Sequence, residues 1–358
     1  MPFDMPLAEE IWGAKYRFRS ADAEDADLSA TLDRVAEAVA RAEKPSVRKQ
    51  WRTRFREALS DFRFIPAGRI LAGAGTGRNV TLFNCFVMGT VPDDLGGIFQ
   101  HLKEAALTMQ QGGGVGMDFS TIRPKGATVK GVGADASGPL SFMDCWDAMC
   151  RTVQSAGARR GAMMGCLRID HPDILDFIEA KRDPLRLRNF NLSVLVTDAF
   201  MATLDAGGDW PLQFGGKVYR TIPAQELWDR LMQATYDCAE PGVIFVDRVN
   251  QANNLAYCEA ISASNPCGEQ MLPPYGACLL GSINLAALVS RPFTPEAAID
   301  PGRLEEVTAL FAHTVGLLVL SHTGRIRMFK QASQDLFDTY LRQLLGRASG
   351  RGERPGEA

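Results

Sequence analysis

The sequence predicts an α/β fold with largely parallel strands, preceded by a small helical region. Two observations predict this class. The first sixty or so residues show helical spacing alone, and short apolar segments then alternate with helical stripes. With 358 residues, of which 46% are hydrophobic, the chain can form a sizeable buried core. We predict a helical region over residues 1–68, an α/β domain over residues 69–320, and a divergent, partly disordered tail over residues 321–358.

The helical region is predicted from two sets of apolar residues that recur with the spacing of a helix face. Pro66 and Gly68 interrupt the pattern and mark its end. The two sets consist of Leu28, Leu32, Val35, Ala36 and Val39, and of Trp51, Phe55, Leu59 and Phe62.

The next segments begin the alternation of strand and helix. Residues 80–87 form an apolar run of strand length that carries Asn84 and Cys85, and a helix over residues 98–109 follows. That helix runs into a glycine cluster at residues 112–116, which is either a helix stop with a turn or a place where the backbone approaches a ligand. The cluster is not a dinucleotide-binding motif, because its glycines follow a helix and not a strand.

Two loops interrupt the alternation. Residues 121–137 are rich in Gly and Lys and lack periodicity, and loops of this length inside a domain are commonly functional. After a helix with Pro139 near its start, residues 157–165 form a glycine-flanked loop that contains Arg159 and Arg160. Such an arginine pair either contacts an anionic ligand or belongs to a solvated turn.

The remainder of the chain repeats the strand and helix pattern up to a last helix. The predicted strands cover residues 166–169, 192–196, 242–247 and 279–285. The predicted helices cover residues 170–178, a segment that Thr197 and Asp198 cap, residues 227–238 and residues 304–318.

Composition excludes several classes of function. The net charge of -3, with acidic and basic residues interspersed, argues against a nucleic-acid partner. We find no secretion signal and no apolar run long enough to span a bilayer, so we expect a cytoplasmic protein without a membrane partner. Eight cysteines at irregular spacing predict neither a disulfide framework nor a zinc site. We interpret five of them as core residues, namely Cys145, Cys150, Cys166, Cys238 and Cys258.

A short segment around Cys267 combines several reactive groups. Asn265 and Pro266 favour an extended or turn backbone, and Gly268 allows a sharp bend. Cys267 and Glu269 are therefore expected on a tight loop. There the thiol can exchange a hydrogen atom, the carboxylate can accept a proton and the Asn265 amide can orient a hydroxyl. The alternative is a buried cysteine beside a turn.

Seven short segments occur in an order that is more specific than any one of them. They are RFIPAGRIL (63–71), LFNC (82–85), QGGGVG (111–116), SGPLSFM (137–143), RRGAMMG (159–165), DHPDI (170–174) and NPCGE (265–269). Together they resemble the catalytic chain of the ribonucleotide reductases. The first segment and the close spacing of Cys267 and Cys278 are similar to the vitamin B12-dependent class in particular.

The resemblance implies a fold and a location for the reactive cysteine. The chain would form the first part of a ten-stranded α/β barrel, with the loop of Cys267 inserted as a finger through its centre. The sulfur of Cys267 would then lie buried in a sugar-binding cavity, flanked by Cys85 and Cys278. Such burial would shield a sulfur radical from water and from stray hydrogen donors.

The resemblance also implies a reaction, the reduction of ribonucleotides to 2′-deoxyribonucleotides for DNA synthesis, with adenosylcobalamin as the cofactor and no metal held by the chain itself. Cys267 would form a thiyl radical that takes the 3′-hydrogen. Glu269 would accept the 3′-hydroxyl proton, and Asn265 would orient the sugar. Cys85 and Cys278 would supply two electrons and become a disulfide, which requires Cα atoms about 4.4 to 6.8 Å apart.

Ligand contacts and partners follow from the same resemblance. A deoxynucleotide effector would lie between the loops at residues 157–165 and 121–137 and a second subunit, which implies a homodimer. A thioredoxin-like dithiol would reduce the disulfide. The implied substrate contacts are Asn84, Cys85, Gly113, Gly114, Asn265, Pro266, Cys267, Gly268 and Glu269, and the implied effector loop contains Arg159, Arg160, Gly161, Ala162 and Met163.

The chain departs from the family beyond its second redox cysteine. A second half-barrel, a phosphate-binding turn and a C-terminal cysteine pair have no counterpart in this sequence. Half of a barrel leaves an open sheet edge and exposes the radical loop to water, so we expect a fragment or subunit that needs a complementary C-terminal chain and is inactive alone. Two alternatives are a thiol–disulfide oxidoreductase that uses only Cys85 and Cys278, and a non-catalytic remnant that binds the nucleotide effector.

Overall fold

The protein is seen in a computed structural model that describes residues 5–129, 131, 133–153 and 161–323. They form two compact units. The first unit comprises the described parts of residues 1–78 and 279–358, and the second unit comprises the described parts of residues 79–278. The predicted tail begins close to the last described residue, so it lies almost wholly outside the described ranges.

The elements are given in chain order. Before residue 79 they are α1 (Pro6–Lys15), α2 (Leu28–Ala40), α3 (Arg48–Leu59), β1 (Phe64–Pro66) and α4 (Gly68–Gly73). Residues 79–278 contain β2 (Cys85–Val87), α5 (Leu95–Gln110), β3 (Gly114–Asp118), β4 (Thr128–Val129), β5 (Ala134–Asp135), α6 (Pro139–Thr152), β6 (Met163–Arg168), α7 (Ile174–Glu179), β7 (Phe190–Val196), α8 (Asp198–Asp205), β8 (Asp209–Phe214), β9 (Lys217–Pro223), α9 (Ala224–Cys238), β10 (Gly242–Phe245), α10 (Val246–Ala252), β11 (Ala263–Ser264), β12 (Met271–Leu272) and β13 (Ala277–Cys278). They are followed by β14 (Gly281–Ile283), β15 (Val289–Ser290), β16 (Ala298–Ile299) and α11 (Pro301–Thr323).

The first unit is helical, as the sequence predicts. Its α2 is capped by Asp27, whose side chain accepts a hydrogen bond from the Ala30 backbone N–H at 2.8 Å and so satisfies one unpaired amide of the first turn. The apolar stripe of α2 is buried along its length. Strand β1 pairs with β14 in antiparallel fashion.

The second unit is built on a six-stranded sheet, which confirms the predicted α/β class. The strand order is β10-β7-β6-β3-β2-β13, and all neighbours are parallel except β2 and β13. The helices that connect the parallel strands cover one face of this sheet and bury a core that includes Trp146, Phe177 and Phe200. Thr197 caps α8 by accepting from the Phe200 N–H at 3.2 Å, as its sequence position predicts.

Alternation along the strands decides which side chains face away from these helices. On β6, Met163 and Leu167 belong to the helix-side core, whereas Met164 and Cys166 belong to a second cluster on the other face. This second cluster also contains Val87 of β2. We call this other face the loop face, because the β11–β12 hairpin packs on it through Ala263, Met271 and Leu272.

Several predicted boundaries were wrong. The predicted strand at residues 80–87 is limited to β2, because residues 79–84 are irregular. The glycine cluster is not only a helix stop, since its second half opens β3. Residues 121–137 contain the short pair β4 and β5. Met163, Met164 and Gly165 belong to β6 and not to a loop.

The cysteine predictions hold in part. Cys150 and Cys166 are buried, and Cys145 and Cys238 are half-buried. The prediction for Cys258 was wrong, because this residue lies exposed in the turn after α10. No described helix is both long and apolar enough to cross a membrane.

Candidate active site

Three residues form one row across strands β13, β2 and β3, at one edge of the sheet. Cys278 of β13 is paired directly opposite Cys85 of β2, and Cys85 is in turn paired with Gly114 of β3. Directly opposed residues of antiparallel strands have Cα atoms about 4.5–5.5 Å apart and point to the same face. Val87 belongs to the cluster on the loop face, and Cys85 lies two residues before it on β2. Cys85 and the opposed Cys278 therefore point to the loop face as well. This is the separation that a redox pair requires.

The Cys267 segment forms the tip of the β11–β12 hairpin. The Asn265 side chain closes this tip, because its Oδ1 accepts hydrogen bonds from the Gln270 backbone N–H at 3.1 Å and from the Ser264 hydroxyl at 3.2 Å. The Gly268 N–H donates to the Asn265 carbonyl at 3.0 Å. Gly268 has a φ of 74°, which confirms the sharp bend predicted there. Hydrogen bonds within the tip itself therefore fix its backbone conformation.

Two glycines of β3 let the hairpin lie directly on the sheet. A Cβ at Gly116 would overlap the backbone carbonyl of Ser264, and a Cβ at Gly114 would lie 2.8 Å from the Pro266 ring. Gly114 is the strand neighbour of Cys85, and Cys267 follows Pro266 along the chain. Adjacent strands lie about 4.8 Å apart and consecutive Cα atoms 3.8 Å apart, and the contact of Pro266 with Gly114 adds about 6 Å between their Cα atoms, so Cys267 lies within roughly 15 Å of Cys85.

Asn191 is a site residue that the sequence reasoning missed. It lies on β7, its Nδ2 donates a hydrogen bond to the Pro266 carbonyl, and that carbonyl immediately precedes Cys267. The alternation of Leu192 and Val194 already implied that Asn191 points away from the helix-side core. A polar side chain on the loop face was the available signal.

Cys267 and Glu269 are exposed, whereas Ser264 and Asn265 are fully buried. The buried sulfur that a complete barrel implies is therefore not seen among the described residues, where the loop is exposed as expected for half of a barrel. The physical reason is that the sheet covers only part of the hairpin tip, so Ser264 and Asn265 are buried while Cys267 and Glu269 stay open to solvent.

The electrostatic environment keeps Cys278 protonated. Burial, the neighbouring Cys85 and the carboxylate of Glu269 together raise the pKa of Cys278 to about 11. The contribution of Glu269 shows that its carboxylate acts at the redox pair despite its exposure. Burial also raises the pKa of Cys166, with a further contribution from Asp118.

Two buried polar atoms near the row have no hydrogen-bond partner among the described residues. They are Oδ1 of Asn84, next to Cys85, and Nδ2 of Asn265, next to Pro266. Unpaired buried polar atoms cost free energy, so a ligand that bonds to them gains affinity. One atom is an acceptor and the other a donor, which suits the hydroxyl groups of a sugar. Among the described residues, no group of three side chains is arranged to hold a metal ion.

The predicted effector residues are described only in part. Arg159 and Arg160 lie outside the described residues. Gly161 and Ala162 precede β6, and Met163 is its buried first residue. The loop at residues 121–137 is anchored, because Arg123 pairs with Asp93 at 2.9 Å.

The raised pKa of Cys278 predicts a pH profile for its alkylation. At pH 8 about one thousandth of a thiol with pKa 11 is ionised, and only the thiolate reacts. The rate at Cys278 should therefore rise about tenfold for each pH unit up to about pH 11. Glu269→Gln should move this profile to lower pH because it removes a nearby negative charge, whereas Glu226→Gln on α9 should not. Peptide mapping after timed iodoacetamide treatment measures the rates, and a plateau below pH 9 would contradict the assignment.

The curled sheet with a hairpin on its face places the second unit in the α/β barrel class. Family models named "Ribonucleotide reductase, barrel domain" and "Ribonucleotide reductase, all-alpha domain" match residues 83–334 and 4–79. The chain belongs to the ribonucleotide reductase family.

Relatives of the chain carry names of the vitamin B12-dependent class. A vitamin B12-dependent ribonucleoside-diphosphate reductase of Mycobacterium tuberculosis is 40% identical over 285 residues, which cover 78% of this chain and 40% of that protein. A protein with the same name from Thermoplasma acidophilum is 42% identical over 239 residues, 66% of this chain and 31% of that protein. The chain thus spans about two fifths or less of the length of these relatives.

Proposed function

We propose that this chain carries the radical loop and the redox cysteines of an adenosylcobalamin-dependent ribonucleotide reductase. The observation that carries the proposal is the row of Cys278, Cys85 and Gly114, with Pro266 packed on Gly114 and Cys267 next in the chain. The names of the relatives support the same reaction and the same cofactor.

The hairpin tip would position the ribose. The unpaired Nδ2 of Asn265 donates to a sugar hydroxyl, and Oδ1 of Asn84 accepts from one. Cys267, as a thiyl radical, takes the 3′-hydrogen atom, and Glu269 accepts the proton of the 3′-hydroxyl. The hydrogen bond from Asn191 fixes the peptide group that precedes Cys267, so the sulfur approaches the sugar from one direction.

The redox pair would complete the reduction. One of the two thiols protonates the 2′-hydroxyl, which departs as water. Because the pKa of Cys278 is about 11, this thiol carries its proton at neutral pH. Cys85 and Cys278 together give two electrons and two protons and form a disulfide, while the ribonucleotide becomes a 2′-deoxyribonucleotide. A thioredoxin-like dithiol then reduces the disulfide.

The exposure of Cys267 fits the cofactor. Adenosylcobalamin, when bound, supplies the radical that takes the hydrogen atom of the Cys267 thiol. A bulky group can reach this thiol because Cys267 is exposed. The buried backbone of Asn265 and Pro266 keeps the thiol fixed during that approach.

The remaining partners follow from the same proposal. A deoxynucleotide effector would contact Arg159, Arg160 and Gly161, and the assembly would be a homodimer or a complex with a complementary C-terminal chain. The reaction would take place in the cytoplasm.

A graft tests the proposal. Residues of this chain replace the matched 285 residues of the Mycobacterium tuberculosis relative, and product formation from a ribonucleoside diphosphate is measured with adenosylcobalamin and a dithiol. We expect deoxyribonucleotide formation that depends on both additions. A folded graft that exchanges disulfides but forms no product would contradict the proposal and would favour a thiol–disulfide oxidoreductase, for which the opposed Cys85 and Cys278 suffice.

A further inference from the structure

The arm of the hairpin that precedes the tip, residues 262–266, runs along β3 in a fixed register. Pro266 lies over Gly114 and Ser264 lies over Gly116. Ser262 continues the series, since its side chain lies close enough to Asp118 to lower the pKa of that carboxyl group. Each step of two residues along the arm thus corresponds to a step of two residues along β3 in the opposite direction, and all three β3 residues point to the loop face.

Asp118 is the one member of this series on β3 that carries a side chain. Its Oδ1 accepts a hydrogen bond from the Ser120 N–H at 2.9 Å. The Ser120 hydroxyl in turn accepts from the Arg168 N–H at 2.8 Å, which ties the carboxyl group to the end of β6. These hydrogen bonds hold the carboxyl group in place independently of the hairpin.

The environment of Asp118 favours its neutral form. Although part of its surface remains exposed, dense protein around the carboxyl group raises its pKa, and the hydrogen bonds from Ser120 and Ser262 offset only part of this effect. Arg168 is the nearby cation, and it is already paired with Asp170. In either protonation state the carboxyl group can accept a hydrogen bond from the Ser262 hydroxyl.

We infer that Asp118 is a positioning residue that sets the register of the Cys267 hairpin through Ser262, an inference that rests on the proposed function. A slip of two residues in one direction drives the Asp118 side chain against Ser264, where Gly116 shows that not even a Cβ fits. A slip in the other direction removes the Ser262 contact and moves Cys267 by roughly 7 Å along β3. The sequence Gly114-x-Gly116-x-Asp118 therefore specifies one position for the thiol.

Crosslinking tests this register. In the full chain with Cys278→Ser, the short bifunctional thiol reagent dibromobimane should join Cys85 to Cys267, and peptide mapping measures the yield. Asp118→Ala and Ser262→Ala should each lower that yield about tenfold. Asp118→Asn should restore it to within twofold, because an amide keeps a donor and an acceptor for the hydroxyl. Hydrogen exchange of β6 and β7 should stay unchanged, which separates a register change from unfolding.

Asp147→Asn is the matched control. Asp147 is a buried carboxylate of the same unit that lies on α6 and binds Asn189, so this variant should lower stability without lowering the crosslink. Wild-type yields in both Asp118→Ala and Ser262→Ala would overturn the inference and leave the proposed function intact. If Asp118→Ala does not fold, a wild-type yield in Ser262→Ala alone overturns it. Failure of the Cys278→Ser chain itself to crosslink would overturn the inference and the proposed function together.

Discussion

Replacing Cys267 by Ser in the graft should abolish deoxyribonucleotide formation. The hydroxyl is close in size to the thiol, so the hairpin keeps its contacts with Gly114 and Asn191. An O–H bond is much stronger than an S–H bond, so the variant cannot form the radical that takes the 3′-hydrogen. Activity should fall to the level of the reaction without enzyme, measured as product formed in the presence of adenosylcobalamin and a dithiol.

Cys258→Ser is the matched control for this variant. Cys258 is the other exposed cysteine among the described residues and lies in the turn after α10, so its replacement should leave turnover unchanged. Disulfide exchange by Cys85 and Cys278 should persist in Cys267→Ser, because it needs no radical. Product formation by the Cys267→Ser graft at a rate near that of the unmodified graft would contradict the assignment.

Gly116→Ala should displace the hairpin from the sheet. The new methyl group would overlap the Ser264 carbonyl, which is backbone and cannot rotate away. We expect the free energy of unfolding to fall by about 1–3 kcal/mol, as for other overpacked sites. The Cys85 to Cys267 crosslink should be lost, and so should turnover in the graft, because catalysis depends on close positioning. Denaturant unfolding and crosslink mapping on the same sample measure the two effects.

Gly165→Ala provides the comparison for that substitution. Gly165 lies on the neighbouring strand β6, and a Cβ there would lie 2.6 Å from the terminal methyl of Met143, the end of a flexible side chain. This variant should lose some stability and keep the crosslink. Equal crosslink yields in the Gly116→Ala and Gly165→Ala chains would contradict the position of the hairpin on β3.

Much of the second unit could be predicted from the sequence, because its signals are local. Apolar alternation marked β7, and Thr197 before a helical stripe marked the start of α8. Gly268 after Asn-Pro-Cys marked the bend of the hairpin tip. Each of these signals depends on residues that are close in the chain.

The contacts that assemble the candidate site could not be predicted in this way. Gly114 and Gly116 were interpreted as part of a helix stop or of a ligand contact, because nothing local reveals that a hairpin about 150 residues later needs room above them. Asn191 and Asp118 were missed for the same reason, since their partners Pro266 and Ser262 are distant in sequence. The resemblance supplied the proposed roles of the cysteines, and the incomplete barrel predicted that Cys267 is exposed in the described residues.

The pairing of the cysteines on oxidation tests the central claim most directly. The full chain is oxidised with diamide, remaining thiols are alkylated, and the disulfides are mapped by peptide mass spectrometry. Because Cys85 and Cys278 are directly opposed across two strands, we predict one disulfide between them, with Cys267 recovered as the alkylated thiol. A disulfide that joins either cysteine to a different partner, or the recovery of both as thiols in a folded chain, would contradict this account.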